Sequence, residues 1–363
     1  MKYDYGKPEQ GYSFEHHNFY ESLQYMCDEL LYFDFMSLMQ KHGREWMNKR
    51  LLEVVKQEKP DLMFTVLFTD ELEQKVVRDI SENTDTISCN WFCDDHWRFD
   101  NYSCYWAPCF NWVVTTAQSA LPQYEKLGYN NVIKSQWGCN HFLYKKLNWP
   151  LKYDVTFVGQ AHGDRPQVIE KLQESGLSVQ AWGNGWETGR LSQEEMIEVF
   201  NTSCINLNLT NSIALGSPTS SSHSRSLPRR ILSRLKHSFV STPTLEQPDP
   251  PVQQYTQQIK GRNFEIPGCG GFLLTSWADN LEDYYLPGKE VVIFSKTSDM
   301  IDKIHYYLKH EDERTAIAQA GYERTLQEHT YVQRFTTIFQ KMGLPYDLSS
   351  KNRLSIGQTI EIT

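Results

Sequence analysis

Lys260, Arg262 and Glu265 lead a short segment that ends in the double glycine Gly270-Gly271 and the apolar run Phe272 to Leu274. The spacing predicts a short helix, a tight turn and a buried strand. A helix start offers backbone N–H groups without intrahelical partners, and two cations beside it favour phosphate. Glu265, one turn further on, has the lone pairs to accept from both hydroxyls of a sugar diol. Together these groups describe a pocket for a nucleoside diphosphate. The same pattern also occurs in ordinary α/β turns with solvated cations, so the surrounding elements must decide between the two.

Those elements alternate. Periodicity predicts an amphipathic helix over about 18–31 and a short strand over 32–35, then a helix over 46–56 and a strand over 61–68. A helix over 70–83 and strands over 86–92 and 110–114 follow, with a helix closed by Gly128. A second set opens with the strand 154–158 and continues through a helix at 166–175, a strand at 177–182, a helix at 193–201 and a strand at 204–209. Beyond the opening motif come a strand over 290–294 and helices over 298–309, 311–328 and 331–342. This alternation predicts parallel sheets covered by helices, an α/β class, in two Rossmann-like domains at 1–148 and 149–335. A terminal helix and polar tail are expected over 336–363. A Rossmann-like domain begins with a buried strand, yet only five residues precede Gly6. Either the first strand is missing or residues 1–5 form a poor edge strand.

Composition narrows the classes. The chain has 363 residues, with 45 acidic and 36 basic side chains for a net charge of −9, which argues against a general nucleic-acid binder. No apolar run approaches the ~18 residues of a membrane span, and the amino terminus lacks a signal-peptide core, so a cytoplasmic protein is expected. The four cysteines Cys89, Cys93, Cys104 and Cys109 lack paired Cys-x-x-Cys spacing, and their neighbours are apolar, as for reduced core thiols. Residues 211–250 are rich in Ser and Pro and read as a mobile insertion. Its basic stretch Arg225 to Lys236, with Arg229, Arg230 and Arg234, reads as a solvated loop or as a contact for anionic lipid or a phosphorylated acceptor.

Three longer signatures carry a family resemblance. They are Val113-Val-Thr-Thr-Ala through Gly138-Cys-Asn140, then Asp154 to Gln160 with Arg165, then Arg262 to Leu274 continuing through Leu286-Pro-Gly to His329-Thr-Tyr331 and Arg334. With these the chain resembles GT-B glycosyltransferases of the CgeB/YkvP spore-protein type. That resemblance implies two Rossmann-like domains facing across a cleft, and sugar transfer from a nucleotide-diphosphate donor. It implies that Glu265 holds the nucleotide ribose and that Lys260 and Arg262 neutralise the diphosphate, with Arg165 a second candidate for that role or an exposed cation opening its helix. Gly159, Gln160, Gly183, Gly185, Gly270 and Gly271 complete the expected donor contacts, the glycines by letting backbone approach the ligand. One departure stands out. By the resemblance Glu265 aligns with the second acid of a motif of two glutamates separated by seven residues, and the first would stand eight positions before it, where this chain has Gln257. That leaves the retaining chemistry of acid-containing relatives in question here.

An inverting transferase needs a general base near the acceptor hydroxyl. His16 and His17 in one cluster, and Asp94 and Asp95 in another, are the candidates; helix capping, or a turn with a salt bridge to Arg98, are the plain structural alternatives. No cofactor and no essential divalent metal are expected, because the two-domain layout points away from the GT-A class that Asp94-Asp95 otherwise resembles. The partners expected are a nucleotide sugar and an acceptor, with no nucleic acid. Two other functions stay open: a GT-B nucleotide-sugar epimerase and a non-catalytic surface or spore-layer protein. Release of nucleoside diphosphate that depends on acceptor would single out the transferase.

Overall fold

Val155 to Val158 is apolar at nearly every position and wholly buried. A strand covered on both faces reads as such a run, because helices lie above and below it. In the computed structural model, which describes residues 1–210, 257–344 and 357–362, this strand lies inside a five-stranded parallel sheet. In chain order the strands are β1 (Glu29–Phe33), β2 (Leu62–Thr65), β3 (Ile87–Phe92), β4 (Trp112–Thr115) and β5 (Val132–Lys134), then β6 (Tyr153–Val158), β7 (Val179–Trp182), β8 (Ser203–Asn208), β9 (Leu273–Ser276), β10 (Val292–Phe294) and β11 (Gln358–Ile362). The first domain's sheet runs β2-β3-β4-β5 and the second's runs β10-β9-β8-β6-β7, all parallel. The stretch 211–250, with Arg225 to Lys236, lies outside the described residues.

Three expectations need correction. The helix expected over 18–31 is short: a π-helical turn at His16–Tyr20 runs into Glu21–Gln24, and residues 29–31 already belong to β1. Its apolar residues are shared between a helix face and a strand, which a single periodicity cannot separate. Residues 1–5 add no strand to the four-stranded sheet; Tyr3 makes only an isolated antiparallel bridge to Tyr12. The polar tail is not wholly irregular, since β11 pairs in parallel with β1 from Glu29 opposite Gln358 to Phe33 opposite Ile362.

The boundary drawn at 335/336 cuts a single helix, Tyr331–Lys341. A reciprocal cap starts that helix, Thr330 accepting from the Gln333 backbone while the Gln333 side chain returns to the Thr330 N–H. From there it crosses back to the first domain. Tyr331 and Phe335 pack edge-on against Phe19, whose ring also stacks on Trp137, and Phe335 packs against Phe64 and Trp91. Backbone bonds hold the crossing: Cys139 donates to the His329 carbonyl at 2.8 Å and Tyr331 to the Cys139 carbonyl at 3.0 Å. Gly138 is required there, because a Cβ would lie 3.0 Å from the His329 carbonyl oxygen. The buried Arg334 guanidinium donates to the Trp137 carbonyl at 3.2 Å and lies over the Phe264 and Tyr284 rings. The His329-to-Arg334 signature therefore joins the domains.

Burial also sets a pH response. His16, His96 and His329 are each pushed down from 6.5 to about 4, chiefly by burial. A histidine whose folded pKa lies below its unfolded value stabilises the fold fully above pH 6.5, and that stability is lost as pH falls toward 4. Denaturation midpoints are expected to fall between pH 6.5 and 5, with a smaller fall in His16→Gln. Equal losses in the variant and the parent chain would remove His16 from the account.

Candidate functional site

The site is built at the carboxyl ends of β6, β8 and β9. Buried Asn263 opens the helix Arg262–Gly268, and its Oδ1 accepts from the Lys260 backbone at 2.9 Å and from Asn208 Nδ2 at 2.9 Å. Its own amide donates to Thr275 Oγ1 at 3.2 Å. This one side chain bolts the helix start to β8 and β9, and so fixes where Lys260 and Arg262 stand.

Arg165 joins them from the start of the helix Arg165–Glu174. Its guanidinium donates to the Gln160 carbonyl at 3.0 Å and the Leu209 carbonyl at 2.8 Å, and packs 5.4 Å from the centre of the Phe157 ring. Lys260 Nζ donates to Gln258 Oε1 at 2.8 Å. Among the described residues none of the three cations is in an ion pair. The Nε atoms of Arg165 and Arg262 are buried without a hydrogen-bond partner. Burial and then the charge of Arg262 push Arg165 down to about 10, and burial lowers Lys260, an effect that Asp94 opposes and Arg165 reinforces. Three cations sharing one field, with orphaned donors, need an anion there.

The first domain faces this cluster with the turn after β3. Gln258 Nε2 donates to the Cys93 carbonyl and to Thr116 Oγ1 (3.2 Å), carrying contact across the domains. Asp94 follows Cys93 and lines a cavity of about 180 Å³ together with Glu15, Arg98 and Tyr102. Arg98 makes no ion pair with either acid; it donates to the Phe68 carbonyl at 3.1 Å and sits 4.0 Å over the Tyr102 ring. His96, not singled out from the sequence, has a buried Nδ1 without a partner and is held neutral by burial and the Lys260 charge. The only sequence signal for it was its place in the Asp94-to-Arg98 run.

Asp94, after β3 of the first sheet, acts on Lys260 at the carboxyl end of the second, the end at which ligands bind in open α/β folds. Residues 165–340 match the model of the glycosyl transferase-like family. HepE of Anabaena, solved in complex with UDP-glucose, is similar with a TM-score of 0.56 at 10% identity, covering 89% of this chain and 95% of that one. The fold is GT-B. The pneumococcal O-GlcNAc transferase GtfA, solved with UDP and GlcNAc, is similar with a TM-score of 0.51 at 10% identity over 83% of this chain and 60% of that one. The spore protein CgeB of Bacillus subtilis is 22% identical over 246 residues, covering 60% of this chain and 64% of its own length. The chain is thus similar to glycosyl transferase-like proteins over residues 165–340, and to CgeB over part of its length.

The remaining predicted residues divide around the GT-B cleft. Asp95, beside Asp94, is buried; Ser103 Oγ donates to it at 2.5 Å and Tyr124 Oη at 2.8 Å, so it anchors the turn. His16 stacks on Tyr12 and Tyr20 with its Nδ1 3.3 Å from Tyr32 Oη. His17 pairs with Glu21 at 3.0 Å, and its backbone carbonyl accepts from Asn140.

Glu265, expected at the ribose, is 2% exposed. Burial raises its pKa, opposed first by the Arg262 charge and then by hydrogen bonding to Tyr144, with Asn18 contributing a further bond. Its neighbours are thus Arg262 of its own domain and Tyr144, His17 and Asn18 of the first. Gly270 and Gly271 lie at the far end of the helix from Lys260. They close it by donating to Pro267 and Ile266 carbonyls, under the Lys146 side chain and against Asn206. In this arrangement the two glycines form a helix stop. Gly159, Gly183 and Gly185 serve packing between two loops. Gly183, at φ +137°, would bring a Cβ within 2.3 Å of the Gly159 carbonyl oxygen, and Gly185 abuts Ala161. That Gly159 carbonyl already accepts from Trp186 Nε1 at 2.7 Å. Gln160 is exposed, with its carbonyl bound to Arg165.

Proposed function

We propose that this protein is a glycosyltransferase that moves a sugar from a nucleoside diphosphate donor to an acceptor hydroxyl. The observation that carries this reading is the convergence of Arg165, Lys260 and Arg262, unpaired and partly buried, at the cleft end of the second sheet. In the reaction the bond from the sugar's anomeric carbon to the phosphate oxygen breaks and the diphosphate leaves with the electron pair. The acceptor oxygen forms the new bond to that carbon and its proton passes to a base. Preorganised cations stabilise the charge that grows on the leaving group, and stabilise it most where water is excluded. Asp94 is the base in this reading, since of the four candidates it is the one whose charge acts on Lys260.

The three cations supply the positive charge a divalent ion brings in other designs, so turnover is expected to persist in excess EDTA. A loss reversed by added Mg²⁺ or Mn²⁺ would overturn the metal-independent part. HepE and GtfA were solved with UDP, so UDP heads a thermal-shift panel with GDP, dTDP and CMP. A rise in melting temperature with one of the diphosphates and none with CMP is expected; no rise with any nucleotide would sink the proposal. Gln257 favours a second reading, donor binding without transfer. It stands where acid-containing relatives place a sugar partner, and Thr210 Oγ1 donates to its Oε1 at 3.4 Å. Acceptor-dependent release of free nucleoside diphosphate decides between the two.

A further inference from the structure

Aromatic side chains gather beyond the carboxyl ends of β2 and β3, neighbouring strands of the first sheet. Phe68 follows β2, and Trp97, Arg98 and Tyr102 follow β3. Arg98 ties the two segments together. It donates to the Phe68 carbonyl at 3.1 Å, and its guanidinium lies 4.0 Å over the Tyr102 ring and 5.6 Å from the centre of the Trp97 ring. Phe68 in turn meets Tyr5 edge-on, with ring centres 5.7 Å apart. Tyr5, Phe68 and Trp97 are 44%, 42% and 47% exposed. Scattered exposed rings are ordinary, but a contiguous set marks a surface that binds something.

Tyr5 adds a conformational sign. Its φ is +52°, in the left-handed region that a bulky side chain enters only under strain. The surrounding turn holds it there. Gly6 N donates to the Tyr3 carbonyl at 2.9 Å, Lys7 N donates to the Asp4 carbonyl at 3.0 Å, and Asp4 pairs with Arg190 at 2.7 Å. Burial does not offset the strain, because nearly half of the residue stays exposed. Strain kept at an exposed ring points to function more than to packing.

Polar groups border the same rings. Phe68, Arg98 and Tyr102 line the cavity of about 180 Å³ that Glu15 and Asp94 also line. A pyranose matches that mixture. Its C–H faces are apolar and suit aromatic rings, while its hydroxyls donate to carboxylates and accept from a guanidinium. A phosphorylated or carboxylated group would meet Glu15 and Asp94 as like charges. An alkyl chain would bury both carboxylates without a partner. Asp94 also acts on Lys260, so one carboxylate serves both the cavity and the cation cluster.

We infer that Tyr5, Phe68, Trp97 and Arg98 form the platform for a neutral pyranose ring and, resting on the sugar transfer proposed above, that the acceptor is a carbohydrate.

Saturation-transfer NMR of the full chain with the methyl pyranosides of glucose, galactose, mannose and N-acetylglucosamine tests it. At least one is expected to receive saturation, most strongly at the C–H protons of one face. Trp97→Ala is expected to weaken that binding by about tenfold, the value of one strong aromatic contact. Tyr5→Gly is expected to weaken it too, with a melting temperature unchanged or higher, since glycine takes positive φ without strain. No signal from any of the four overturns the platform, as does binding that both substitutions leave unchanged. A lower melting temperature with sugar binding intact in Tyr5→Gly would make Tyr5 a packing residue and remove it from the platform. Adenosine bound more tightly than every pyranoside would overturn the carbohydrate class in favour of a nucleobase. With a donor carrying the nucleotide that raises the melting temperature, the bound pyranoside is expected to increase release of nucleoside diphosphate. Binding without that increase overturns its role as acceptor. The nucleotide panel on the same protein separates the two proposals. Absent sugar binding beside a retained nucleotide response strikes the acceptor class alone, and absence of both strikes the transfer reading as well.

Discussion

Asp94→Asn is expected to lower turnover by roughly 10²- to 10⁴-fold, the usual contribution of a positioned general base, while donor affinity holds or tightens. Asn fills the same volume and keeps a hydrogen-bonding oxygen, but it cannot take the acceptor proton. The sign for affinity follows from electrostatics. Asp94 is the first group to offset the lowering of the Lys260 pKa, as Asp164 does for Arg165. Removing it leaves a more positive field for an anionic ligand. Neighbouring Asp95 gives the control, because Asp95→Asn disturbs the bonds from Ser103 and Tyr124 and is expected to lower melting temperature first. Steady-state kinetics with a saturating donor would read both. An unchanged turnover in Asp94→Asn would remove Asp94 as base.

Lys260→Met should weaken binding of the nucleoside diphosphate by about 10- to 100-fold, the value of one charge-assisted hydrogen bond of roughly 1.5–3 kcal/mol. Calorimetric titration measures it. The same substitution is expected to leave the melting temperature of the ligand-free protein unchanged or higher. Lys260 is lowered by burial and by the nearby Arg165, so in the absence of an anion its charge works against the fold. Methionine keeps the apolar stem and removes that charge, although Gln258 Oε1 loses its donor. A functional cation held at a cost in stability is the trade expected of a site. Affinity in the parent chain should also fall as pH rises through the lowered Lys260 pKa, a dependence that Lys260→Met removes. If melting temperature drops while affinity holds, Lys260 is a structural residue and the cation cluster is not the donor site.

Strand and helix alternation is a local property. The apolar run at β6 and the helix from Gln193 to Thr202 with its Ser192–Glu195 cap are readable because each depends on neighbours within a few residues. So too was the segment from Lys260 to Leu274, whose helix, turn and strand appear as predicted. Function-bearing position is not local in the same way. Gly270 and Gly271 carry the composition of a ligand loop, yet the helix between places them a helix length from Lys260. Glu265 carries the chemistry of a ribose contact, yet it is buried, beside Arg262 of its own helix and Tyr144 and Asn18 of the other domain.

By itself, then, the sequence determined the parallel α/β architecture, the order of the two domains and the presence of Lys260 and Arg262 at a helix start. Tertiary structure alone decided that Arg165, far away in sequence, shares their field. It also decided that Asp94 lines a cavity while adjacent Asp95, the first residue of the helix Asp95–Arg98, is buried against Ser103 and Tyr124. And it placed the Tyr331–Lys341 helix on the first domain, where buried aromatic contacts with Phe19, Phe64 and Trp91 have no counterpart in any local pattern. Charges and rings interact through space, and only the folded chain sets those distances.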